Sequence, residues 1–325
     1  MKTEHSELIT LFFGQEFSQQ TKRHSSYFLL ESIVNRNSDV NGIVDTISAI
    51  KELRKLISEM SIQEMSFLLT HSGNIPDHFP PDGSLETLHS KLTETLVAEW
   101  GKLTGAETEL IKEKSNREDI KFIFESGIIV CDAKSFRLGR SQPAPNVKDT
   151  IKRGDYEKWL SAYPKDKRLG GIVTFPSLHD WKTKSDVYLY CSENREPILM
   201  LHYEHLAYIL LNWDHKRTSH VDTILSSYSQ IFPNSSNKKT DYWSKVEPMI
   251  SGISKTNNLE DFKICSDIII QESVAWAKNR ILQRIREIEE DTEKEVGLME
   301  KETLRGILTQ TIVNQKAGNL QRYLK

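Results

Sequence analysis

Asp119-Ile120-Lys121-Phe122-Ile123-Phe124 and Gly127-Ile128-Ile129-Val130-Cys131-Asp132-Ala133-Lys134 are two strand-like apolar runs with almost no chain between them. This juxtaposition constrains the fold more than any other feature of the sequence. A connection as short as Glu125-Ser126-Gly127 can only join neighbouring antiparallel strands, so the segment is predicted to be a β-hairpin. Side chains alternate across a strand. Asp132 and Lys134 therefore share one face, and Ala133 and Cys131 take the other. The hairpin also returns Asp119, at the start of the first strand, to the exit of the second.

Around this hairpin the sequence alternates helical and strand patterns. Asn41 is a candidate cap for a helix to about Ser58, with Ile43, Ile47, Ile50, Leu53 and Ile57 as its apolar stripe. Ser61-Ile62-Gln63-Glu64 has the form of a capping box for a short helix ending near Gly73. Pro76, Pro80, Pro81 and Gly83 mark a loop. Leu85, Leu88, Leu92, Leu96, Trp100 and Leu103 then recur along one face of a longer helix. Further strands are predicted at residues 171–175, 187–190 and 198–201. Glu204-His205-Leu206-Ala207 opens another helix, and residues from Ser273 onward are again helical, with Ile281, Ile285 and Ile288 on one face. Helices around a central mixed sheet make this an α/β domain with helical N- and C-terminal extensions. The expected parts are a helical 1–105 packing on the core, a catalytic core at 106–232 and a helical 233–325 for dimerisation or a DNA clamp. They can equally form one continuous domain, and residues 235–239 are the best linker candidate.

The 325 residues are 38% hydrophobic and 27% charged, ordinary for a globular chain long enough to bury a large core. The richest apolar stretch, residues 197–213, is interrupted by His202, Glu204 and His205, so no membrane span is expected. The amino terminus has only a brief apolar patch at residues 8–13, unlike a signal peptide. Cys131, Cys191 and Cys265 are odd in number and lack metal-ligand spacing. Reduced thiols in a bacterial-type cytoplasm are expected. The formal net charge is -3, but binding to nucleic acid depends on local potential. From Asp132 to Arg168 there are ten bases and only five acids. A basic segment directly after the Asp132-Ala133-Lys134 strand is where a phosphate backbone would be held.

A carboxylate and an ammonium two residues apart at the end of an apolar strand suit phosphodiester hydrolysis. Carboxylates hold Mg2+, which polarises the phosphate and acidifies a bound water. A lysine can orient or deprotonate that water and offset charge in the transition state. The carbonyl of Ala133 can serve as a further hard oxygen ligand, and Asp119 supplies a second carboxylate. Acid, hairpin and apolar strand ending in Asp-x-Lys is the pattern of PD-(D/E)XK nucleases. The competing reading is a surface salt bridge at a strand end. His202, Glu204 and His205 lack the His-Glu-x-x-His spacing and read as helix-opening residues. Cys131 reads as a core thiol.

Asp132-Ala133-Lys134-Ser135-Phe136-Arg137-Leu138, then Arg140 and Asn146-x-Lys148-Asp149, resemble the HindIII-type restriction endonucleases. Thr183-Lys184-Ser185 and Glu204-His205-Leu206-Ala207 follow in the family's order, and the matched stretch covers residues 112–211. The resemblance implies a homodimeric PD-(D/E)XK nuclease that cuts both strands of double-stranded DNA at the palindrome AAGCTT and leaves 5′-phosphate ends. Mg2+ is the implied cofactor, with Mn2+ able to substitute, and a cognate DNA methyltransferase is the expected genetic partner. Asp132 and Lys134 carry over as catalytic residues. Asp149 matches a further acidic position, displaced by two extra residues that include Pro143 and Pro145, and Glu113 matches a metal-associated glutamate. Asp119, Glu113 and Asp149 remain unranked as the acid that completes the metal site. Asn146 can read adenine in the major groove or form a turn beside Pro145. Arg137, Arg140, Lys148 and Lys152 are candidates for phosphate contacts or for reading guanine. Two alternatives remain: a PD-(D/E)XK repair or recombination nuclease without sequence specificity, and a DNA-binding protein that kept the fold and lost the chemistry.

Overall fold

Strands Ile120–Phe124 and Gly127–Ala133 pair antiparallel in the computed structural model, with Ile120 opposite Cys131 and Phe124 opposite Gly127. The structure describes residues 2–39, 41–79, 83–111, 117–137, 151–193, 195–214, 216 and 220–322. In chain order the helices are α1 (Lys2–Phe13), α2 (Gln20–Arg36), α3 (Thr46–Glu59), α4 (Ile62–His71), α5 (Ser84–Leu103), α6 (Arg153–Ser161) and α7 (Asp186–Ser192). They continue as α8 (Tyr203–Leu211), α9 (Val221–Ser226), α10 (Tyr228–Ile231), α11 (Lys239–Gly252), α12 (Leu259–Gly297) and α13 (Lys301–Arg322). The strands are β1 (Asn74–Ile75), β2 (Glu107–Leu110), β3 (Ile120–Phe124), β4 (Gly127–Ala133), β5 (Phe136–Arg137), β6 (Arg168–Phe175) and β7 (Ile198–His202).

The main sheet runs β2-β3-β4-β6-β7. The β2-β3-β4 part is antiparallel, and β4, β6 and β7 are mutually parallel. The change of sense follows from the connections. Two residues join β3 to β4, whereas the links from β4 to β6 and from β6 to β7 contain α6 and α7, long enough for parallel crossovers. Ile129, Val130, Ile172, Val173, Leu199 and Met200 are all buried. Both faces of the central strands are therefore covered, which is why these strands read as continuous apolar runs. Gly171 lets α6 approach closely, since a Cβ there would stand 2.2 Å from Cδ1 of Tyr156.

Met1–Val274 form one compact unit and Ala275–Lys325 a second. Within the first, α5 buries Leu88, Leu92, Leu96 and Trp100, the face expected from their spacing. Trp100 donates its indole N–H to the carbonyl of Leu206 at 2.8 Å, fixing α5 against α8. The capping box forms: Ser61 N–H donates to Glu64 at 2.8 Å and Glu64 N–H to Ser61 Oγ at 3.2 Å. Among the described residues no helix is long and apolar enough to cross a membrane. Cys131, Cys191 and Cys265 are free and buried.

Two expectations are corrected. Asn41 does not cap α3. Asp45 does, accepting from Ser48 N–H at 3.0 Å. The helix therefore starts after Ile43, which is 68% exposed, and leaves Ile47 82% exposed, while Ala49, Leu53 and Ile57 form the buried stripe. Residues 187–190 are helical in α7, not a strand. An apolar run of four residues is too short for periodicity to separate helix from strand, and only Val187 and Tyr188 of it are buried. Ser185 settles the choice as the cap, accepting from Val187 N–H at 3.4 Å.

Past the end of β6, Asp180 is a polar hub inside the core, its side chain 4% exposed. It accepts from Trp243 Nε1 at 3.0 Å, Tyr188 Oη at 2.8 Å and its neighbour Trp181 N–H at 2.8 Å, and pairs with Lys239 Nζ at 2.8 Å. Burial pushes its carboxyl pKa up, but His202 and Lys239 outweigh this and hold it well below the usual carboxylate range.

Candidate active site

The exit of β4 places Asp132 and Lys134 on one face, as strand alternation requires, and Lys134 Nζ lies 2.6 Å from Asp132 Oδ2. The Lys134 N–H donates to Thr174 O on β6 at 2.8 Å, and its carbonyl accepts from Tyr203 Oη at 3.1 Å. The chain leaving the site is tied down again where Phe136 N–H donates to Gly73 O at 2.9 Å and β5 pairs with β1. Asp119 lies one residue before β3, beside the end of β4. It accepts from Ala133 N–H at 3.2 Å, and its own N–H donates to Cys131 O at 3.2 Å.

A third carboxylate comes from α5, and the sequence reading missed it. Glu94 is 6% exposed and lines the same cleft of about 340 Å³ as Asp119, Asp132, Ala133 and Lys134. Lys91 Nζ stands 2.5 Å from Glu94 Oε2. The structure buries every residue from Leu92 to Ala98, so Glu94 is an acid inside a buried run. A buried ionised carboxylate needs partners, but periodicity alone could not say which.

Crowding of acids in a partly buried cleft sets the electrostatics. Burial, followed by the charges of Asp132 and Glu94, raises the Asp119 pKa well above its ordinary value. Burial also raises Glu94 against the pull of Lys91, with Asp132 adding to the rise. Burial alone would lower Lys134, but Asp132, Asp119 and Glu94 outweigh it and raise its pKa. Lys134 is therefore held as an ammonium. The Cys131 thiol, on the opposite face of β4, is pushed well up by burial and is no nucleophile.

This donor set suits a hard divalent cation, which prefers carboxylate and carbonyl oxygen and would relieve the repulsion among three acids. The carboxylates share an open cleft and do not form a closed cage; among the described residues no three acidic, histidine or cysteine side chains are already grouped for a metal. An open arrangement fits Mg2+, which is commonly held by one or two carboxylates together with substrate phosphates and water.

The other expected site residues divide into two groups. Lys152 is exposed at the rim of the cleft. Arg137 is turned toward α5 instead, with Nη2 2.7 Å from Glu86 Oε2 and Nη1 donating to Asp77 O at 3.2 Å. Its guanidinium fork thus holds β5 against the first turn of α5. Glu113, Arg140, Asn146, Lys148 and Asp149 lie outside the described residues. His202, Glu204 and His205 are helix-opening residues: His202 caps α8, and its N–H donates to His205 Nδ1 at 3.1 Å.

Comparison with known proteins agrees with this geometry. The profile of the HindIII restriction endonuclease family matches residues 29–320. The type II restriction enzyme HindIII of Haemophilus influenzae is 25% identical over 289 residues, covering 85% of this chain and 89% of that protein. The chain belongs to the HindIII restriction endonuclease family, and by that membership is a type II restriction endonuclease, a deoxyribonuclease.

Proposed function

We propose that the chain hydrolyses both strands of double-stranded DNA at the palindrome AAGCTT, as a homodimer with Mg2+, and leaves 5′-phosphate ends. One observation carries the reading: Lys134 Nζ on Asp132 Oδ2 at 2.6 Å, with Asp119 and Glu94 in the same cleft. Asp132, Asp119 and Glu94 would hold the cation, and Mn2+, of similar ligand preference, would substitute. When bound, the cation supplies Lewis-acid polarisation of the phosphate and lowers the pKa of a water.

The chain's own residues do the rest. Lys134, held against Asp132, is the positioned proton-handling and hydrogen-bonding group of the site. It orients the attacking water and offsets negative charge gathering on the phosphate oxygens. The attacking water gives up a proton, passed by way of Lys134 to solvent, as its oxygen bonds to phosphorus. The bond to the 3′ oxygen breaks and that oxygen takes up a proton from solvent, so the phosphate stays on the 5′ end. Asp119 is oriented by the Ala133 N–H, which fixes one of its oxygens. Asp149 and Glu113 remain further candidates for the acidic set. Arg137, Arg140, Asn146, Lys148 and Lys152 are the proposed DNA contacts, Arg137 also tying β5 to α5 through Glu86. A methyltransferase protecting the same sequence is the expected genetic partner.

The test is digestion of a sequenced plasmid by purified protein with Mg2+. Discrete fragments ending at AAGCTT are expected; a random ladder would refute the specificity, and no cutting in Mg2+ or Mn2+ would refute the chemistry. Glu94→Gln keeps the shape and removes one charge. It is expected to raise the Mg2+ concentration for half-maximal cleavage by roughly 10–100-fold, the loss common when a group supporting a metal is removed. An unchanged Mg2+ requirement would exclude Glu94 from the metal set.

A further inference from the structure

The second unit, residues 275–325, carries the distal part of α12. Several of its apolar side chains stay in solvent: Leu282 is 53% exposed, Ile285 46% and Ile288 52%, while Ile281 is half-buried. Isoleucines at 281, 285 and 288 follow the alternating four-and-three spacing of a coiled-coil seam. The charges around them are segregated. Residues 278–286 hold Lys278, Arg280, Arg284 and Arg286 with no acid, and residues 287–297 hold six acids and one lysine.

Within a single helix this order is unfavourable. Glu287, Asp291 and Glu295 follow one another at four-residue spacing, as do Glu289 and Glu293, and like charges at that spacing repel. The repulsion is relieved if another helix of opposite polarity lies alongside. The same segment from a second copy, running antiparallel, supplies that partner. A twofold axis crossing the helix between residues 286 and 287 would set each cationic half against the other copy's anionic half. It would also bring Ile285 of one copy beside Ile288 of the other. This is an isologous contact, the kind a symmetric dimer uses.

We propose that the distal part of α12 is the self-association surface of this chain, paired antiparallel with a second copy about an axis near residue 286. The proposal deepens the homodimer reading above and rests on it, because two strands of a palindrome call for two catalytic centres and each chain has one Asp132–Lys134 pair. The apolar seam is short and strongly flanked by charge, so the association should weaken as salt rises.

Sedimentation of the full chain and plasmid cleavage are to be measured on the same preparations. Ile285→Glu combined with Ile288→Glu is expected to raise the dimer dissociation constant by about tenfold or more, with an unchanged circular dichroism spectrum. Arg280→Glu with Arg286→Glu should weaken the dimer, and adding Glu287→Arg and Glu293→Arg should restore it, which a purely structural role would not do. For orientation, chains bearing Ile285→Cys and Ile288→Cys should cross-link to each other on oxidation far better than either does to itself. Preferential self-cross-linking, or a dimer unaffected by the isoleucine changes, would overturn this surface while leaving the nuclease assignment intact. A wild-type monomer that cuts at discrete sites would also overturn it. A wild-type chain that pairs in this way but leaves plasmid intact would support the surface and refute the nuclease reading.

Discussion

Lys134→Ala is expected to slow plasmid cleavage by about 10²–10⁴-fold, the range for losing one positioned proton-handling group, while leaving duplex binding in Ca2+ intact. The expectation follows from the 2.6 Å contact with Asp132 and from the three acids that keep Lys134 charged. Removing the ammonium takes the cation in contact with Asp132 out of a cleft that holds three carboxylates. Chemistry should therefore suffer far more than DNA affinity, which is spread over many phosphate contacts. Single-turnover cleavage beside a binding titration in Ca2+ checks this. Cleavage at the wild-type rate would place the catalytic centre elsewhere.

The central hairpin could be read from the chain because its determinants are local. Two apolar runs, a two-residue connection and strand alternation suffice to bring Asp119, Asp132 and Lys134 together. Glu94 could not be read that way. It belongs to the site only because α5 crosses the exit of β4, a tertiary relation that no spacing within α5 encodes. The pairing of Arg137 with Glu86 is of the same kind, since it depends on where β5 meets α5 and not on any spacing around Arg137. The strand expected at residues 187–190 has a different cause, since four apolar residues are too few to show the period that separates helix from strand.

The second large effect concerns folding. Asp180→Ala is expected to destabilise the chain by about 3–5 kcal/mol, as when one member of a buried charged network is removed. Trp243 Nε1 and Trp181 N–H would lose their acceptor, Tyr188 Oη one of its two, and Lys239 its counterion. At roughly 2–4 °C per kcal/mol for a unit of this size, Tm should fall on the order of 10 °C. The pH dependence has a definite sign. The folded carboxyl titrates below its unfolded value, so its contribution is complete above about pH 4 and is lost as pH falls below that. Urea unfolding at pH 7 and pH 3 should show a wide gap between wild type and variant at the first and a narrower one at the second. A gap that widens toward acid would contradict the assignment of Asp180 as the ionised hub.

The backbone hydrogen bonds on either side of the Lys134 Cα, to Thr174 O and from Tyr203 Oη, have a consequence for conformational entropy. Freezing a residue's backbone costs roughly 1–2 kcal/mol, and at Lys134 this is met once, during folding. Only side-chain torsions remain to be ordered when substrate arrives. The Lys134 amide should accordingly exchange with deuterium only through opening of the β4–β6 seam, at rates typical of the protein's slowest core amides.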